Sequence, residues 1–393
     1  MSTVVVSAYK VASTPDFGGH FWVYLQYVHG LRQLGCDVFW LERLPRDSPG
    51  LDASAATSIF FGRMERFGMS GRAILYETTG SDPDGSLRFT GMSQSAAEAV
   101  LRRSDLLLNF HYAIEPGVLA RFRRTALVDI DPGLLQFWMS RGQLEVPPHD
   151  VYLTIGETVG TPGARFPDCG LQWLHIRPPV CVDVWPFTYD PACERFTTVS
   201  SWLGGEYLTE GDRILFENDK RISFLQFLGL PARTSSELEL ALYFKRRPNA
   251  ADAEDPELLE RNGWRVRHAV EVASTPERYR AYIQASRGEF SCVKPSCIEF
   301  QNAWVSDRTL CYLASGKPAV VQDTGPSPFL PAGEGLFRFS TIEEATEALA
   351  TIDSDYERHC RAARAIAEEF FDAQVVLPQM LNLVETRAQP PLP

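Results

Sequence analysis

The clearest pattern in the sequence lies in its first forty residues, where two apolar runs flank a segment of helical periodicity. Thr3–Ala8 is a short, mostly apolar run, which is typical of a strand buried in a parallel sheet. Beyond a loop with paired glycines, apolar residues recur at helical spacing up to Gly35, a residue suited to ending a helix. Cys36–Leu41 is the second apolar run. This order of strand, helix and strand predicts a βαβ unit.

Similar alternation continues along most of the chain. Further strands are predicted at Asp105–Asn109, Ala126–Ile130, Val151–Ile155, Trp264–Val272, Phe290–Val293 and Pro318–Gln322. Helices are predicted at Ser93–Arg102, Gly117–Arg123, Pro276–Ser286, Asp307–Ser315, Tyr356–Phe371 and Val375–Thr386. The acidic, polar stretch Pro248–Glu257 predicts a loop, and residues 388–393 predict a disordered tail.

The length and the prolines of the chain predict two domains. A chain of 393 residues exceeds the size at which a single hydrophobic core stops growing. Four prolines within Arg177–Pro191 predict an extended crossover between domains. We therefore expect an α/β protein in which two Rossmann-like domains, residues 1–185 and 192–369, face an interdomain cleft.

Charge and cysteine content narrow the choice of ligands. The formal net charge of −12 argues against a general affinity for nucleic acid or anionic membranes, while a local basic pocket for a diphosphate stays compatible with it. No apolar run approaches the ~20 residues that cross a bilayer, and the N-terminus lacks a signal-peptide pattern. The eight cysteines show no zinc-ligand spacing. We expect reduced thiols, no metal site and a cytoplasmic protein.

The loop before the first predicted helix is a candidate catalytic region. In open parallel sheets, ligands bind beyond the carboxyl ends of the strands, near helix N-termini. Gly18 and Gly19 allow the backbone to approach a ligand closely, and His20 would sit in the first helical turn. A neutral imidazole there can take a proton from an acceptor hydroxyl. The alternative is that His20 packs between Trp22 and a neighbouring loop.

Two carboxylates beyond predicted N-domain strands are candidate partners of this histidine. Asp131 and Glu157 each follow such a strand. Either would orient His20 or bind the acceptor, and both are equally compatible with a role as turn formers. The candidate catalytic residues are therefore His20, Asp131 and Glu157.

The helix predicted at Asp307–Ser315 is a candidate phosphate site. Ser306 is a good N-cap, and a helix N-terminus accommodates a phosphate. Arg308 would add a charge-assisted contact, and Asp307 would accept hydrogen bonds from ribose hydroxyls. Asp307 is equally compatible with a role that only stabilises the helix dipole.

Residues beyond other predicted C-domain strands extend this candidate site. Asp323, Thr324 and Gly325 follow one strand, in a pattern that suits sugar hydroxyls or, alternatively, a plain Asx turn. Lys294 follows another strand and would meet a phosphate. Ser201 lies near the first loop of the second domain, where it would face the nucleotide.

With these residues, the chain resembles the GT-B glycosyltransferases. Glu289–Phe339, which contains the motif ASGKP, resembles the C-terminal region that encloses the nucleotide sugar in that family. Gly18–Glu42 resembles the family's first βαβ unit, where some inverting members carry a catalytic histidine just after a glycine. The resemblance implies C-terminal helices that cross back to the N-domain at about residues 370–393. More narrowly, the sequence is similar to a group of bacterial glycosyltransferases, some of them linked to natural-product pathways.

One departure from the family concerns the ribose. Retaining members carry a glutamate five residues before the glycine of the ASG motif, and Cys311 occupies that position here. Asp307, about one turn earlier, is a possible substitute, or the ribose is bound otherwise. The departure favours an inverting mechanism based on His20 and leaves the anomeric outcome open.

The resemblance implies a hexosyltransferase-type glycosyltransferase, and the lack of an acidic pair at metal-ligand spacing predicts that it is metal-independent. It would move a sugar from a nucleoside-diphosphate sugar, a co-substrate rather than a bound cofactor, to an acceptor, which we expect to be a small molecule and not a nucleic acid. Two alternatives stay open. One is a nucleotide-sugar epimerase on the same fold, and the other is a catalytically silent partner protein.

Overall fold

The computed structural model describes residues 2–48, 50–79, 86–203, 207–211, 213–244 and 250–387. The chain forms two compact units. The first unit combines Met1–Gly160, Pro167–Pro179 and Ala373–Pro393, and the second combines Thr161–Phe166 and Val180–Asp372. Within the part of the chain that the structure describes, no helix is both long enough and apolar enough to cross a membrane.

The first unit is built on one eight-stranded sheet. Its strands are β1 (Thr3–Ser7), β2 (Asp37–Arg43), β3 (Ala73–Thr79), β4 (Ser86–Thr90), β5 (Leu106–Asn109), β6 (Thr125–Asp129), β7 (Val151–Thr154) and β8 (Trp173–His175). They lie in the order β4-β3-β2-β1-β5-β6-β7-β8, and the pairing is parallel except between β3 and β4. Its helices up to residue 140 are α1 (Gly18–Gln33), α2 (Ala53–Arg66), α3 (Gln94–Arg103), α4 (Pro116–Leu119) and α5 (Leu134–Ser140).

The predicted βαβ unit at the N-terminus is confirmed as β1, α1 and β2. All five residues of β1 are buried, as expected for a central strand with helices on both faces. Gly35 ends the α1 region with a φ of 84°, a left-handed conformation that a side chain disfavours.

The second unit is built on a six-stranded parallel sheet and a separate hairpin. Its strands are β9 (Arg195–Ser201), β10 (Tyr207–Glu210), β11 (Arg213–Glu217), β12 (Glu237–Tyr243), β13 (Arg265–His268), β14 (Gly288–Ser291), β15 (Ala319–Gln322) and β16 (Leu336–Phe339). The sheet order is β13-β12-β9-β14-β15-β16, and β10 pairs with β11 antiparallel.

The helices of the second unit connect these strands and follow the last of them. They are α6 (Lys220–Gln226), α7 (Ala250–Arg261), α8 (Ala269–Ala273), α9 (Pro276–Gln284), α10 (Pro295–Phe300), α11 (Asp307–Ala314), α12 (Ile342–Ser354) and α13 (Tyr356–Ile366), with a 3-10 turn at Leu230–Arg233 and a π-helical segment at Ala367–Phe371. The final helix, α14 (Ala373–Arg387), belongs to the first unit, where it packs against α1 and Gln374 Nε2 donates to Gln33 Oε1 at 2.9 Å. The predicted return of the chain is thus confirmed.

Two predicted elements of the second unit are wrong. Ala250–Arg261, much of it predicted as a loop, forms α7 despite the internal Pro256. The helix is tied to the unit at the buried Asp255, whose carboxylate accepts from Trp202 Nε1 at 2.8 Å and pairs with Arg221 at 2.6 Å. Trp264–Val272, predicted as one strand, divides into β13 and α8. The predicted disordered tail, residues 388–393, lies outside the described residues.

Candidate functional site

Each unit has one point at which the order of its parallel strands reverses. In the first unit the chain passes from β1 outward to β2 and β3, and β5 then returns to the other side of β1. In the second unit it passes from β9 to β12 and β13, and β14 returns to the other side of β9. Ligands of open α/β sheets bind beyond the carboxyl ends of the strands at such switch points. The β1–β5 and β9–β14 switch points are therefore the candidate ligand sites of the two units.

At the β1–β5 switch point, the backbone fixes the protonation of His20. Gly18 and Gly19 are the first two residues of α1 rather than part of the preceding loop, and His20 is the third. The His20 Nε2 atom lies 2.7 Å from the carbonyl oxygen of Tyr9. Because a carbonyl only accepts hydrogen bonds, Nε2 carries the proton and Nδ1 of the neutral ring carries the lone pair.

The surroundings of His20 favour a neutral ring. Burial lowers its pKa below the ordinary 6.5 and Lys10 lowers it further, while the Tyr9 carbonyl and the Asp131 carboxylate raise it. Asp131 is oriented by Tyr112, whose hydroxyl donates to Oδ2 at 3.2 Å and accepts from the Asp131 backbone N–H at 3.1 Å. The structure thus brings two of the candidate catalytic residues, His20 and Asp131, into one electrostatic environment.

Other polar groups near this switch point have structural contacts. The Tyr9 ring stacks on His111 with 4.8 Å between ring centroids, and burial lowers the pKa of His111 to about 4. The buried Asp129 accepts from Gln136 and from Thr154, so it stabilises the loop after β6. Burial raises its pKa to about 7.

The third candidate catalytic residue lies farther along the sheet. Glu157 follows β7, and β6 separates β7 from β5 in the strand order. The structure therefore places Glu157 two strands away from the switch point at which His20 lies.

At the β9–β14 switch point, two basic side chains act on the buried ammonium group of a third, Lys220. The pKa of Lys220 is lowered to about 7, first by burial and then by the positive charges of Arg308 and Lys294. The carboxyl group of Asp307 opposes this shift. We refer to Lys220, Lys294 and Arg308 as the cationic cluster. A concentration of positive charge in a partly desolvated place is the environment that binds an anion.

Lys220 is the member of this cluster that sequence reasoning missed. It is the first residue of α6, directly after the hairpin. Its local sequence gives little sign of a site, because its neighbours Lys294, just before α10, and Arg308, in α11, come 74 and 88 residues later by subtraction of the residue numbers. The nearest available signal was the run Asn218-Asp219-Lys220 at the start of a helix.

Arg308 has a structural role that was not predicted. Its Nε donates to Glu289 Oε1 at 2.7 Å, Nη1 to the Val199 carbonyl at 3.0 Å and Nη2 to Ser291 Oγ at 2.9 Å. Arg308 is 6% exposed and Glu289 is fully buried. The guanidinium therefore fixes the start of α11 against β9 and β14. Its charge is paired with that of Glu289, and the direct phosphate contact stays a prediction.

The start of α11 and the turn after β15 are joined, as their positions in the sequence suggested. Ser306 caps the helix by accepting from the Arg308 N–H at 3.3 Å. Thr324 Oγ1 donates to the Trp304 carbonyl at 2.8 Å, and the Ala303 N–H donates to the Thr324 carbonyl at 2.9 Å. Burial raises the pKa of Asp307 at the first position of the helix.

The turn after β15 is an Asx turn, which is one of the two predictions made for it. Asp323 Oδ1 accepts from the Gly325 N–H at 3.1 Å, which makes an Asx turn, and lies 3.6 Å from Arg338. Gly325 has a φ of 121°, and a Cβ there would come within 2.8 Å of the Gln301 carbonyl oxygen, so the position requires glycine. These residues shape the loop beside the start of α11.

The remaining predicted residues lie at or near the same sheet edge. Ser201 is the exposed last residue of β9, and Lys294 immediately precedes α10. A pocket opens between the ends of β14 and β15 and the start of α11. It is lined by Ser291, Val293, Ala303, Trp304, Val305, Ser306, Thr309, Val321, Gln322, Thr324, Leu330, Leu336 and Arg338.

Comparison with known proteins identifies the fold. No protein-family model and no curated protein matches the chain. Among solved structures, an alpha-glucosyltransferase in complex with UDP-glucose and DNA containing an abasic site matches with a TM-score of 0.61, 11% identity and coverage of 98% of this chain and 99% of that one. Sucrose-phosphate synthase from Thermosynechococcus elongatus matches with a TM-score of 0.58 and 12% identity, over 98% of this chain and 99% of that one. HepE from Anabaena, in complex with UDP and glucose, matches with a TM-score of 0.58 and 11% identity, over 98% of this chain and 100% of that one. The chain has the GT-B fold of these glycosyltransferases.

Proposed function

We propose that the protein is a glycosyltransferase that moves a sugar from a nucleoside-diphosphate sugar to a small-molecule acceptor. The observation that carries the proposal is the cationic cluster at the β9–β14 switch point, where Lys220 has a pKa of about 7. A lysine held near neutrality by burial and by neighbouring cations gains charge when an anion binds. Nucleotide complexes among the structural neighbours support the choice of a nucleoside diphosphate as that anion.

The second unit stabilises the leaving group in this mechanism. The diphosphate accepts hydrogen bonds from the protonated ammonium of Lys220 and from Lys294, beside the start of α11 at Ser306. Charge that develops on the departing oxygen is then offset by preorganised cations and helix N–H groups. These side chains supply the positive charge that a metal ion supplies elsewhere, so we propose a metal-independent reaction.

The first unit activates the acceptor. Nδ1 of His20 takes the proton of an acceptor hydroxyl, and the oxygen attacks the anomeric carbon of the donor. The Nε2–H bond to the Tyr9 carbonyl keeps the ring in the required tautomer, and the Asp131 carboxylate stabilises the imidazolium that forms. A base that acts directly on the acceptor supports an inverting, hexosyltransferase-type reaction.

The kind of acceptor and the cellular setting complete the proposal. One structural neighbour is a complex that contains DNA, whereas this chain carries a net charge of −12. A net negative charge disfavours nucleic acid as the acceptor, so we propose a small molecule. The resemblance supports an acceptor of the natural-product type, and the eight free cysteines support a cytoplasmic enzyme.

A screen of nucleoside diphosphates, followed by turnover, tests the proposal. UDP, TDP and GDP are each added to the protein, and the one that binds should raise the unfolding temperature by mass action. The corresponding sugar nucleotides are then incubated with and without a library of hydroxylated acceptors. We expect nucleotide release that depends on the acceptor. Release of an epimerised sugar nucleotide without any acceptor would instead identify an epimerase, and an absence of both binding and turnover would identify a silent protein.

A further inference from the structure

The loop between β1 and α1, residues 9–17, is held by two buried ionisable side chains that lie outside it. Glu42 of β2 accepts a hydrogen bond from the Ala12 backbone N–H at 2.7 Å. Arg63 of α2 donates to the carbonyl oxygen of Pro15. Both side chains are almost inaccessible to solvent. A buried charged group is costly unless it is paired or hydrogen-bonded. The two side chains and the backbone of the loop therefore stabilise each other.

Glu42 is embedded on the α1 side of the sheet. Its second carboxylate oxygen accepts from Trp40 Nε1 at 3.1 Å, and the Trp40 ring stacks on Phe21 of α1 with 5.6 Å between centroids. The side chain is 1% exposed. Each of its two oxygens thus accepts from a different N–H group, an arrangement that suits an ionised carboxylate.

The loop that Glu42 holds determines the geometry of His20. The Tyr9 carbonyl accepts from His20 Nε2 at 2.7 Å and from the Tyr24 hydroxyl at 3.4 Å. The next residue, Lys10, has a φ of 59°, which is uncommon for a residue with a long side chain. A strained residue beside a functional group persists only where its surroundings hold it in place.

We infer that Glu42 is a positioning residue for His20: by anchoring Ala12 it keeps the Tyr9 carbonyl against Nε2, and so keeps Nδ1 as the basic nitrogen. The catalytic meaning of this inference rests on the proposed function, whereas the geometric coupling of Glu42 to His20 does not. Glu42 acts three residues away from the contact, through the backbone of the loop.

The coupling is sensitive to pH in the neutral range. Burial raises the pKa of Glu42 to about 7, against the effect of its N–H donors. A protonated carboxyl group has only one oxygen that accepts well, so the bond to Ala12 or to Trp40 weakens as the pH falls through 7. The ionisable groups that face the two residues are Tyr76 beside Glu42, and Asp131 and Lys10 beside His20.

A rising pH ionises Glu42, which strengthens its hold on the loop but lowers the free energy of unfolding. These opposite directions separate a positioning role from a merely structural one. Between about pH 4.5 and 7 the folded state binds more protons than the unfolded state at Glu42, so this group lowers the free energy of unfolding as the pH rises. Glu42→Gln removes that dependence. The variant should therefore gain stability relative to the natural protein as the pH rises, while it loses the fixed geometry of His20.

Nitrogen NMR of the histidine rings tests the inference without any substrate. In the natural protein we expect the Nε2–H tautomer at His20 and a second inflection near pH 7 in its titration, caused by Glu42. In Glu42→Gln the inflection should vanish, the tautomers should mix, and the pKa of His20 should fall further below 6.5, because the Tyr9 carbonyl that raises it is no longer held against the ring. The matched control is Glu239→Gln, which alters another buried carboxylate, in β12 of the second unit, that accepts from Tyr282 at 2.8 Å.

Trp40→Phe gives a second test should Glu42→Gln fold poorly. It removes one donor to Glu42 but keeps an aromatic ring, so the inflection at His20 should move to higher pH. An unchanged tautomer and pKa of His20 in Glu42→Gln would overturn the inference. So would an inflection that persists, since Asp129, whose pKa is also about 7 and which accepts from the Asp131 N–H at 3.0 Å, would then be its source. If the NMR response is found and no transfer occurs, the proposed function fails and the coupling stands.

Discussion

The two switch points differ in chemistry although the same topology creates both. At the β1–β5 point two imidazoles, those of His20 and His111, have pKa values lowered by burial and lie against aromatic rings. At the β9–β14 point they are cations, and the pKa of Lys220 is lowered both by burial and by its neighbours. The sheet topology creates both switch points. The side chains at the first suit proton transfer, and those at the second suit an anion.

This contrast separates the roles of the two units. A general base works poorly among strong positive charges, because neighbouring cations lower its pKa and weaken its hold on the proton. A diphosphate site needs that charge. Changes at one switch point should therefore alter one step of the proposed reaction and leave the other step intact.

The largest effect is expected from His20→Ala. A positioned general base contributes roughly 10²–10⁴-fold, so turnover should fall by about that range. The affinity for the nucleoside diphosphate should stay unchanged, since the cationic cluster belongs to the other unit. Steady-state kinetics and calorimetry measure the two quantities. His29→Ala, a change farther along the same helix, is the control, and loss of activity in both variants would point to a damaged helix rather than a lost base.

Arg308→Ala should act mainly on stability. It leaves Glu289 as a buried, unpaired carboxylate, and breaking such a pair typically costs about 3–5 kcal/mol. Chemical denaturation of the second unit measures the loss. The double variant Arg308→Met with Glu289→Leu should recover much of it, because a buried pair exchanged for apolar groups is often neutral. A single variant that is fully stable and only binds nucleotide poorly would restore Arg308 as a direct ligand.

The sequence predicted the first switch point better than the second. The positions of His20 and Asp131 follow from a local pattern, a strand followed by a glycine-bearing helix start, and the structure places them together. The helix start at Ser306 was equally visible. The pairing of Arg308 with Glu289 and the arrival of Lys220 depend on which strands become neighbours, and no local pattern carries that information. Asp255 explains the error at α7, because buried contacts from outside the segment outweigh its polar composition and its proline.

A smaller effect is expected from Lys220→Met. Hydrogen bonds to charged groups contribute about 1.5–3 kcal/mol, which corresponds to a loss of roughly 10- to 100-fold in affinity for the diphosphate. Binding of the nucleoside without phosphates should hardly change. Calorimetry of both ligands checks this, with the exposed Arg261→Ala of the same unit as the control. Equal losses for nucleoside and diphosphate would mean that Lys220 supports the fold of the site rather than the phosphates.

The most direct test of the proposed diphosphate site is the proton uptake that accompanies UDP binding at pH 8. At this pH most Lys220 side chains are neutral in the free protein, since their pKa is about 7, and a bound diphosphate should raise that pKa back toward 10.5. Calorimetry in buffers of different ionisation enthalpy should therefore show close to one proton taken up per UDP, and affinity should fall by about tenfold per pH unit above 7. In Lys220→Met both effects should vanish. UDP binding without proton uptake in the natural protein, or uptake that persists in the variant, would contradict the central claim.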